Sequence, residues 1–554
     1  MSPTHVVENQ PPPLVDYDLY AADPLLPGLV EAYALGTDHG RLSEFGRVMG
    51  SAEVIDWGFQ ANRNLPVLHT HDRYGNRVDR VDFHPAWHRL LDLAVSNGLH
   101  SLPWEGGAHG FVERASLTFL SSQIEAGHWC PISMTTAAMP ALRTQPEVAI
   151  EWEPRILSRD YDAGFLPAAK KSGVLVGMGM TEKQGGSDVR ANSSRAEAVA
   201  GGGPGGEYLL TGHKWFTSAP MNDAFLVLAQ APAGLSCFLM PRWTPDGERN
   251  AITIQRLKDK LGNRSNASAE IEFDGAWARL LGEEGRGLAV ILEMVNATRL
   301  DCVTGSAALM RQAVSQAAHH TAHRRAFGSV LIGKPLMRNV IADLEIETEA
   351  AQVLMMRTAA AFDDAGGDEH QAKLRRILIP LAKYWVTKRC TGVVHEALEC
   401  LGGNGYVEES IMPRLLRESP LNAIWEGSGN VIALDVVRAL HTQPATGEAF
   451  LAEVATTAGA DRALDAATDA LAGHLSGALS GTRGVGAGSV EGGARRLVGS
   501  MATVLAASLL VRHASAAVAE AFIVTRVVGD GGHLYGTLPA GVDTAALASM
   551  AVPR

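Results

Sequence analysis

The sequence predicts an α+β protein, mostly α, with four segments in order. These are an N-terminal helical domain (1–172), a small antiparallel β-barrel domain (173–285), a helix-bundle domain (286–440) and a C-terminal helical extension (441–554). Three observations predict it. Between residues 24 and 170 apolar residues recur at helical spacing, as in Pro85 to Ala94 and Glu113 to Ala126. Beyond Gly173 short β-rich runs alternate with turn residues, and from Gly287 the helical period returns. The chain of 554 residues is also too long for one core: at roughly 100–200 residues per domain it holds about three or four.

The β-rich runs are Glu207–Leu210, Ala224–Ala229, Leu235–Met240, Ala251–Ile254 and Ala269–Phe273. Thr211-Gly212, Pro245-Asp246-Gly247 and Leu261-Gly262-Asn263 read as the turns between them, and Gly201–Gly206 as a flexible hairpin loop. Short strands at this spacing make a small antiparallel barrel or a sandwich. Leu336–Phe362 and Leu374–Leu401 are long enough for a bundle, with Pro380 either kinking the second or marking its first turn. The extension is Ala/Gly-rich, with a looser middle at Ser476–Gly493 and helical spacing again through Leu497, Met501, Leu505 and Leu509.

Hydrophobic residues at 46% and charged residues at 19% are ordinary for a soluble globular protein. A net charge of −12 argues against the whole surface receiving a polyanion. The five cysteines (Cys130, Cys237, Cys302, Cys390, Cys400) form no C-x-x-C pair, which gives neither a zinc motif of the usual spacing nor a disulfide framework. A reducing cytoplasm is the expected compartment, and no metal is expected. Met1 to Asp16 lacks an apolar signal core, and Leu497–Val511 is short for a membrane span, so it reads as a buried helix.

Gly177-Met-Gly179-Met-Thr-Glu182 lacks the third glycine of a dinucleotide loop, and no βαβ unit surrounds it. The segment Met180-Thr-Glu-Lys-Gln-Gly-Gly-Ser-Asp188 ends a strand in a turn rich in glycine, hydroxyl and carboxylate. Such a turn aims N–H groups and hydroxyls at a polar ring edge; alone, it is equally a hydrogen-bonded turn. Its companions are His213-Lys-Trp-Phe-Thr217, Lys260-Leu-Gly262, Arg324-Arg-Ala-Phe327-Gly328, Leu401-Gly-Gly-Asn-Gly-Tyr406 and Ile424-Trp-Glu426-Gly427-Ser428-Gly-Asn430. In this order the set resembles the acyl-CoA dehydrogenase family. The strings Gly177–Val189, Arg256–Ser268 and Ile424–Asn430, with Asn9-Gln-Pro-Pro-Pro13 and Tyr535-Gly-Thr-Leu-Pro539, resemble its AidB-like subgroup, linked to the adaptive response to DNA alkylation.

The resemblance implies FAD, an acyl-CoA thioester and a homotetramer. It places Met180, Thr181, Gly186, Ser187, Trp215, Phe216 and Thr217 at the flavin, which lies between the β-domain and the bundle in that family. An aromatic face to stack and hydroxyls for the ring edge suit the task; plain barrel core is the other reading of Trp215 and Phe216. Arg324 and Phe327 would reach the FAD of a neighbouring subunit, since a guanidinium suits a pyrophosphate; a surface arginine closing a helix is the alternative. Gly402, Gly403 and Gly405 would let backbone approach the dinucleotide, or simply form a helix C-cap and turn. Trp425, Gly427, Ser428 and Asn430 complete the contacts, unless Ser428 and Asn430 only cap the helix from Val431 to Leu440.

Glu426 is the implied general base, removing the α-proton while the β-hydride passes to the flavin. Without the family it reads as a carboxylate at a helix N-terminus. Some relatives carry the glutamate on an earlier helix, in an E-R pair; here that position is Thr298, beside Arg299. Glu399 stands where most members have a glutamine near the pyrophosphate, and Lys183 and Gln184 replace small or proline residues in the signature turn. These departures leave FAD binding intact and qualify turnover. The subgroup also implies double-stranded DNA binding by the extension, with Arg495, Arg496, Arg512 and Arg526 as candidates. Residues 441–554, however, hold seven arginines, no lysine and nine Asp or Glu, a balance of −2 that weakens the inference. A solvated helix surface is the other reading.

Overall fold

Helices α1 (Leu26–Tyr33), α2 (His39–Met49) and α3 (Ala52–Arg63) lead into a hairpin of β1 (Val67–His71) and β2 (Arg77–Asp82) in the computed structural model, which describes residues 4–479 and 487–553. Helices α4 (Pro85–Ser96), α5 (Gly110–Ile124), α6 (Trp129–Arg143) and α7 (Pro146–Ile156) follow. Seven strands come next: β3 (Val176–Gly179), β4 (Arg195–Ala198), β5 (Glu207–Ser218), β6 (Ala224–Ala231), β7 (Gly234–Pro241), β8 (Ile252–Leu257) and β9 (Ser268–Leu281). Helix α8 (Gly287–His323) precedes a minimal hairpin of β10 (Arg325–Ala326) and β11 (Ser329–Val330). Then come α9 (Pro335–Asp364), α10 (Glu369–Cys400), α11 (Gly403–Tyr406), α12 (Met412–Glu418) and α13 (Gly429–Thr442). The extension supplies α14 (Ala445–Ala455), α15 (Arg462–Leu479), α16 (Ala487–His513), α17 (Ala516–Phe522) and α18 (Thr544–Met550).

These elements form two compact units, one of Met1–Ala52, Phe111–Ile124 and Cys302–Arg554, the other of Glu53–Gly110 and Glu125–Asp301. The first segment of the sequence reading thus contributes to both units. It also contains the β1–β2 hairpin, in a stretch expected to be mostly helical.

In the second unit, β6 pairs with β4 and β7, β4 with β5, β5 with β9, and β9 with β7, which closes a barrel. Most of these pairings are antiparallel, as expected, but β3 and β4 run parallel to β6. Alternation along the start of β5 sends Tyr208 and Leu210 inward, to a core that includes Phe225, Phe238, Met240 and Phe273. One expectation changes here. Thr211-Gly212 is no turn: it lies inside the 12-residue β5, beside a register shift at Leu210/Thr211. A second shift lies between Lys214 and Thr217, so both of these side chains are buried, with Trp215 and Phe216 between them. Gly201–Gly206 does join the antiparallel strands β4 and β5.

In the first unit, α9 starts with Pro335 in its first turn, and Asp368 caps α10 by accepting from the His370 and Gln371 N–H groups. Pro380 lies inside α10, well beyond the first turn. Helix α9 is buried from Ile341 to Phe362, acids included, so its buried acids take partners. The Arg311 guanidinium donates to both Glu345 oxygens, at 2.8 and 2.9 Å, and lies 3.3 Å from Asp23. In α16, 61% of the most apolar window is buried, in keeping with a core helix; residues 480–486 of the looser stretch lie outside the described residues, and α16 takes up the rest from Ala487.

Candidate active site

In the second unit the signature turn leaves β3 at Met180 and is anchored by Glu182, which is fully buried. One Glu182 oxygen accepts from Lys214 Nζ at 2.8 Å and from the Ser194 hydroxyl at 2.7 Å; the other accepts from the Ser193 N–H at 2.7 Å and its hydroxyl at 2.8 Å. Burial alone would raise the carboxyl, but the Lys214 ammonium and the serine donors outweigh it and hold Glu182 far below the usual carboxylate range. Glu182 is therefore an anchor, committed to the protein's own groups. Thr181 O accepts from Trp215 N–H at 2.8 Å, stitching the turn to β5. Gly186 matters because a Cβ there would lie 2.3 Å from Thr181 Oγ1. Met180 and Thr181 are half-buried, while Gly186 and Ser187 are exposed.

On β5 the register shift decides between the two readings of the aromatic pair. Phe216 is 50% exposed and Trp215 is partly so; neither joins the barrel core. Thr217 is fully buried, yet its Oγ1 has no hydrogen-bond partner among the described residues. Lys258 Nζ sits 3.3 Å from the centre of the Trp215 ring, and Lys183 Nζ and the Arg256 guanidinium lie within 6 Å of it. Sequence reasoning missed Lys258 and Arg256, since β-strand spacing alone does not bring β8 to the aromatic pair. Glu270 holds both, at 2.6 and 2.8 Å. Elsewhere in this unit, a cavity of about 480 Å³ is lined by Arg190, Arg286, Leu235 and Leu288 among others.

In the first unit, Phe327 (φ 51°) and Gly328 (φ 82°) form the tip between β10 and β11, and Phe327 is 95% exposed. Arg324 precedes the hairpin and its guanidinium donates to Asn9 O. Gly402 adopts φ 57°, ψ −139°, which favours glycine; a Cβ on Gly402 or Gly403 would meet nothing within 4 Å. Gly405 differs, because a Cβ there would strike Leu398 O at 2.4 Å. Its role is to pack the turn on its own helix.

The loop Ile424–Ser428 enters α13. Glu426 has φ 58°, in the left-handed region that non-glycine residues avoid, and Gly427 follows at φ 106°. The side chain of Lys383, from α10 and 1% exposed, holds this conformation: its ammonium donates to Trp425 O at 2.9 Å and to Gly427 O at 2.7 Å, the two carbonyls that flank Glu426. The Trp425 indole N–H donates to Asn422 at 2.8 Å. Ser428 occupies the N-cap position of α13, but its side chain makes no capping bond. Asn430 is exposed in the first turn.

The chain matches three family models: the adaptive response protein AidB N-terminal domain over residues 9–163, the acyl-CoA dehydrogenase middle domain over 177–276 and the acyl-CoA dehydrogenase C-terminal domain over 285–441. It is 47% identical to AidB of Escherichia coli (strain K12) over 465 residues, 83% of this chain and 85% of that protein. The chain belongs to the acyl-CoA dehydrogenase family, in its AidB-like branch. It is also 32% identical to acyl-CoA dehydrogenase family member 11 of Caenorhabditis elegans over 444 residues, 76% of this chain and 70% of that one. Among solved structures, Caenorhabditis elegans ACDH-11 in complex with C11-CoA superposes with a TM-score of 0.85 at 28% identity, covering 95% of this chain and 94% of that one.

Members of the acyl-CoA dehydrogenase family are FAD-dependent oxidoreductases, and this protein is one. Its residues fit the cofactor unit by unit: in the second, the outward Trp215 and the buried Thr217 hydroxyl, without a partner among the described residues, suit a flavin ring; in the first, the open backbone at Gly402 and Gly403 suits a dinucleotide. The four candidate arginines among the seven of the extension divide. Arg526 is half-buried and paired with Glu347 at 2.6 Å and with Asp343, and Arg512 donates to Glu453 at 2.7 Å. Arg495 and Arg496 are exposed, and the Arg495 guanidinium lies 3.2 Å from where a Cβ on Gly429 would be, beside the Glu426 loop.

Proposed function

We propose that this acyl-CoA dehydrogenase relative oxidises an acyl-CoA thioester across Cα–Cβ, with Glu426 as the base that takes the α-proton. FAD, when bound, supplies the acceptor for the β-hydride. The observation that carries the reading is the Lys383 hold on the two carbonyls beside a left-handed Glu426. A backbone conformation that costs about 1–2 kcal/mol is kept at a glutamate, and a buried ammonium is spent to keep it. A carboxylate fixed in this way is oriented before substrate arrives.

The substrate class rests on two supports. Caenorhabditis elegans ACDH-11, similar along nearly the whole chain, was solved in complex with C11-CoA. In this protein Arg190 and Arg286 line the same cavity of about 480 Å³, which suits the phosphates of a coenzyme A nucleotide. Arg324, Gly402, Gly403, Ser428 and Asn430 serve the dinucleotide in this reading, and Met180, Thr181, Ser187, Trp215 and Thr217 serve the ring. The exposed Phe327 tip is covered by a second copy of the chain in a homotetramer.

Anaerobic titration of the holoenzyme with short, branched and long acyl-CoA thioesters tests the whole reading. Bleaching of the flavin by at least one thioester is expected, and Glu426→Gln should abolish it while retaining the bound-flavin spectrum. No bleaching across the panel would refute the dehydrogenase assignment.

A further inference from the structure

The segment Asn9-Gln10-Pro11-Pro12-Pro13 has no place in the chemistry described so far, yet it makes a set of directed contacts. The Asn9 side-chain amide donates to Arg325 O at 2.9 Å, and its Oδ1 accepts from the Arg325 N–H at 2.8 Å. A side-chain amide that pairs with both the C=O and the N–H of one residue does what a neighbouring strand's peptide would do. The hairpin it supports needs this, because β10 and β11 have two residues each, too few to be stable alone. Asn9 itself sits at φ 57°, which asparagine tolerates better than most residues. That conformation turns its carbonyl toward Arg324, whose guanidinium donates to it. Further along, Gln10 Oε1 accepts from Asn404 Nδ2 at 3.4 Å, and His319 Nε2 donates to Pro12 O at 2.9 Å. The three prolines stiffen the segment between these anchors. One short strap therefore touches the two segments of this unit that carry dinucleotide residues, the Arg324–Phe327 hairpin and the Gly402–Gly405 turn.

We propose that the Asn9–Pro12 strap is a built part of the FAD dinucleotide site, with Asn9 as a positioning residue that aims the Arg324 guanidinium at the diphosphate. The inference rests on the family reading of Arg324 as an FAD contact. The Asn9 carbonyl accepts from one nitrogen of the guanidinium and holds that edge of the fork, which leaves the remaining N–H groups for an anion. Removing the Asn9 side chain unties the strap from Arg325, so the Asn9 carbonyl no longer holds its place beside Arg324, which stays charged but loses its aim.

The test uses the full-length protein, deflavinated and reconstituted, with dissociation constants read from flavin fluorescence for FAD and for riboflavin, which lacks the diphosphate. Asn9→Gly keeps the left-handed backbone accessible and deletes only the amide. It should weaken FAD binding about fivefold to tenfold, the scale of one or two hydrogen bonds, and leave riboflavin binding unchanged. Arg324→Ala should weaken FAD binding further, and adding Asn9→Gly to it should change nothing more. If Asn9→Gly lowers the melting temperature and weakens FAD and riboflavin equally, the strap is structural only and the proposal is overturned. It is likewise overturned if Arg324→Ala weakens FAD binding and Asn9→Gly does not. If Arg324→Ala itself has no effect, the family placement of Arg324 fails, and the proposal with it.

Discussion

Replacing Lys383 with methionine separates the hold on the Glu426 loop from everything else the loop does. Methionine keeps most of the aliphatic stem and removes the ammonium that donates to Trp425 O and Gly427 O. A hydrogen bond from a charged donor is worth about 1.5–3 kcal/mol, so the pair contributes roughly 3–6 kcal/mol toward the observed loop. The left-handed backbone at Glu426 opposes this by about 1–2 kcal/mol. The hold therefore wins in the native protein, and without it the balance reverses toward a relaxed loop. The net loss of global stability is smaller, about 1–3 kcal/mol, because methionine also escapes the desolvation cost of a buried ammonium. The effect on chemistry is larger than on stability, since a displacement of about 1 Å at a reacting group costs on the order of 100-fold. Stopped-flow bleaching of Lys383→Met holoenzyme by the thioester that bleaches the native protein best should be about 100-fold slower, with the flavin still bound. Lys383→Arg, which keeps a donor, should recover part of the rate. Wild-type bleaching by Lys383→Met would refute the positioning role outright, whatever happened to its melting temperature.

Lys214→Met should destabilise the second unit by about 3–5 kcal/mol in denaturant titration, because it strands the fully buried Glu182 carboxylate, and Glu182→Gln added to it should recover part of the loss. His513 accepts or donates at 2.8 Å with the Tyr33 hydroxyl, and burial, reinforced by Arg512, pushes its pKa down from 6.5 to about 4. Its folded pKa lies below its unfolded one, so its contribution is complete above pH 6.5 and is lost as pH falls toward 4; the melting temperature should decline over that window, less steeply in His513→Gln. For duplex DNA, measured by anisotropy over a salt series, Arg495→Ala/Arg496→Ala should reduce the log–log salt slope by about 2 if the extension binds phosphate. Arg526→Ala should instead lower stability with no change in that slope.

Much of the site was legible because its residue types are tied to backbone events that leave a mark in sequence. Gly402 is glycine because φ 57°, ψ −139° favours it, and Gly186 because Thr181 Oγ1 leaves no room for a Cβ. The strands were legible where burial alternates or runs continuously, as in β6 and β7. The β1–β2 hairpin was not, since Val67–His71 is exposed or half-exposed throughout and its residues give no apolar signal. Gly212 misled for a related reason: it sits within β5 because the strand passes over Ser194, whose Oγ would lie 2.3 Å from a Cβ there, and a glycine demanded by close approach looks the same in sequence as one demanded by a turn. Lys383 and Lys258 were invisible for a different reason. Each acts on a residue more than 40 positions away in the chain, and nothing local distinguishes them from solvated lysines.

The same non-locality limits what charge counting says about the extension. Its balance of −2 treats every arginine as available at the surface. Arg526 is not, because its half-buried guanidinium is paired with Asp343 and Glu347 of α9, where Glu347 also meets Arg389. Beside it, Gly536 N–H donates to Asp343 at 2.9 Å, and Asn339 exchanges two 3.0 Å bonds with Leu538. The string Tyr535–Pro539 is thus a docking segment, and Arg526 is its electrostatic fastener to the bundle. The acids that neutralise Arg526 belong to the bundle, so a segment-by-segment count assigns the arginine to one ledger and its partners to another. Arg512 is instead paired inside the extension, with Glu453 of α14, which Arg357 of α9 also holds. With one of its seven arginines committed to the bundle and another to an ion pair within the extension, the extension has less positive surface than its composition suggests. Duplex binding would therefore have to centre on Arg495 and Arg496, at the end of α16 that brings Arg495 beside the Glu426 loop.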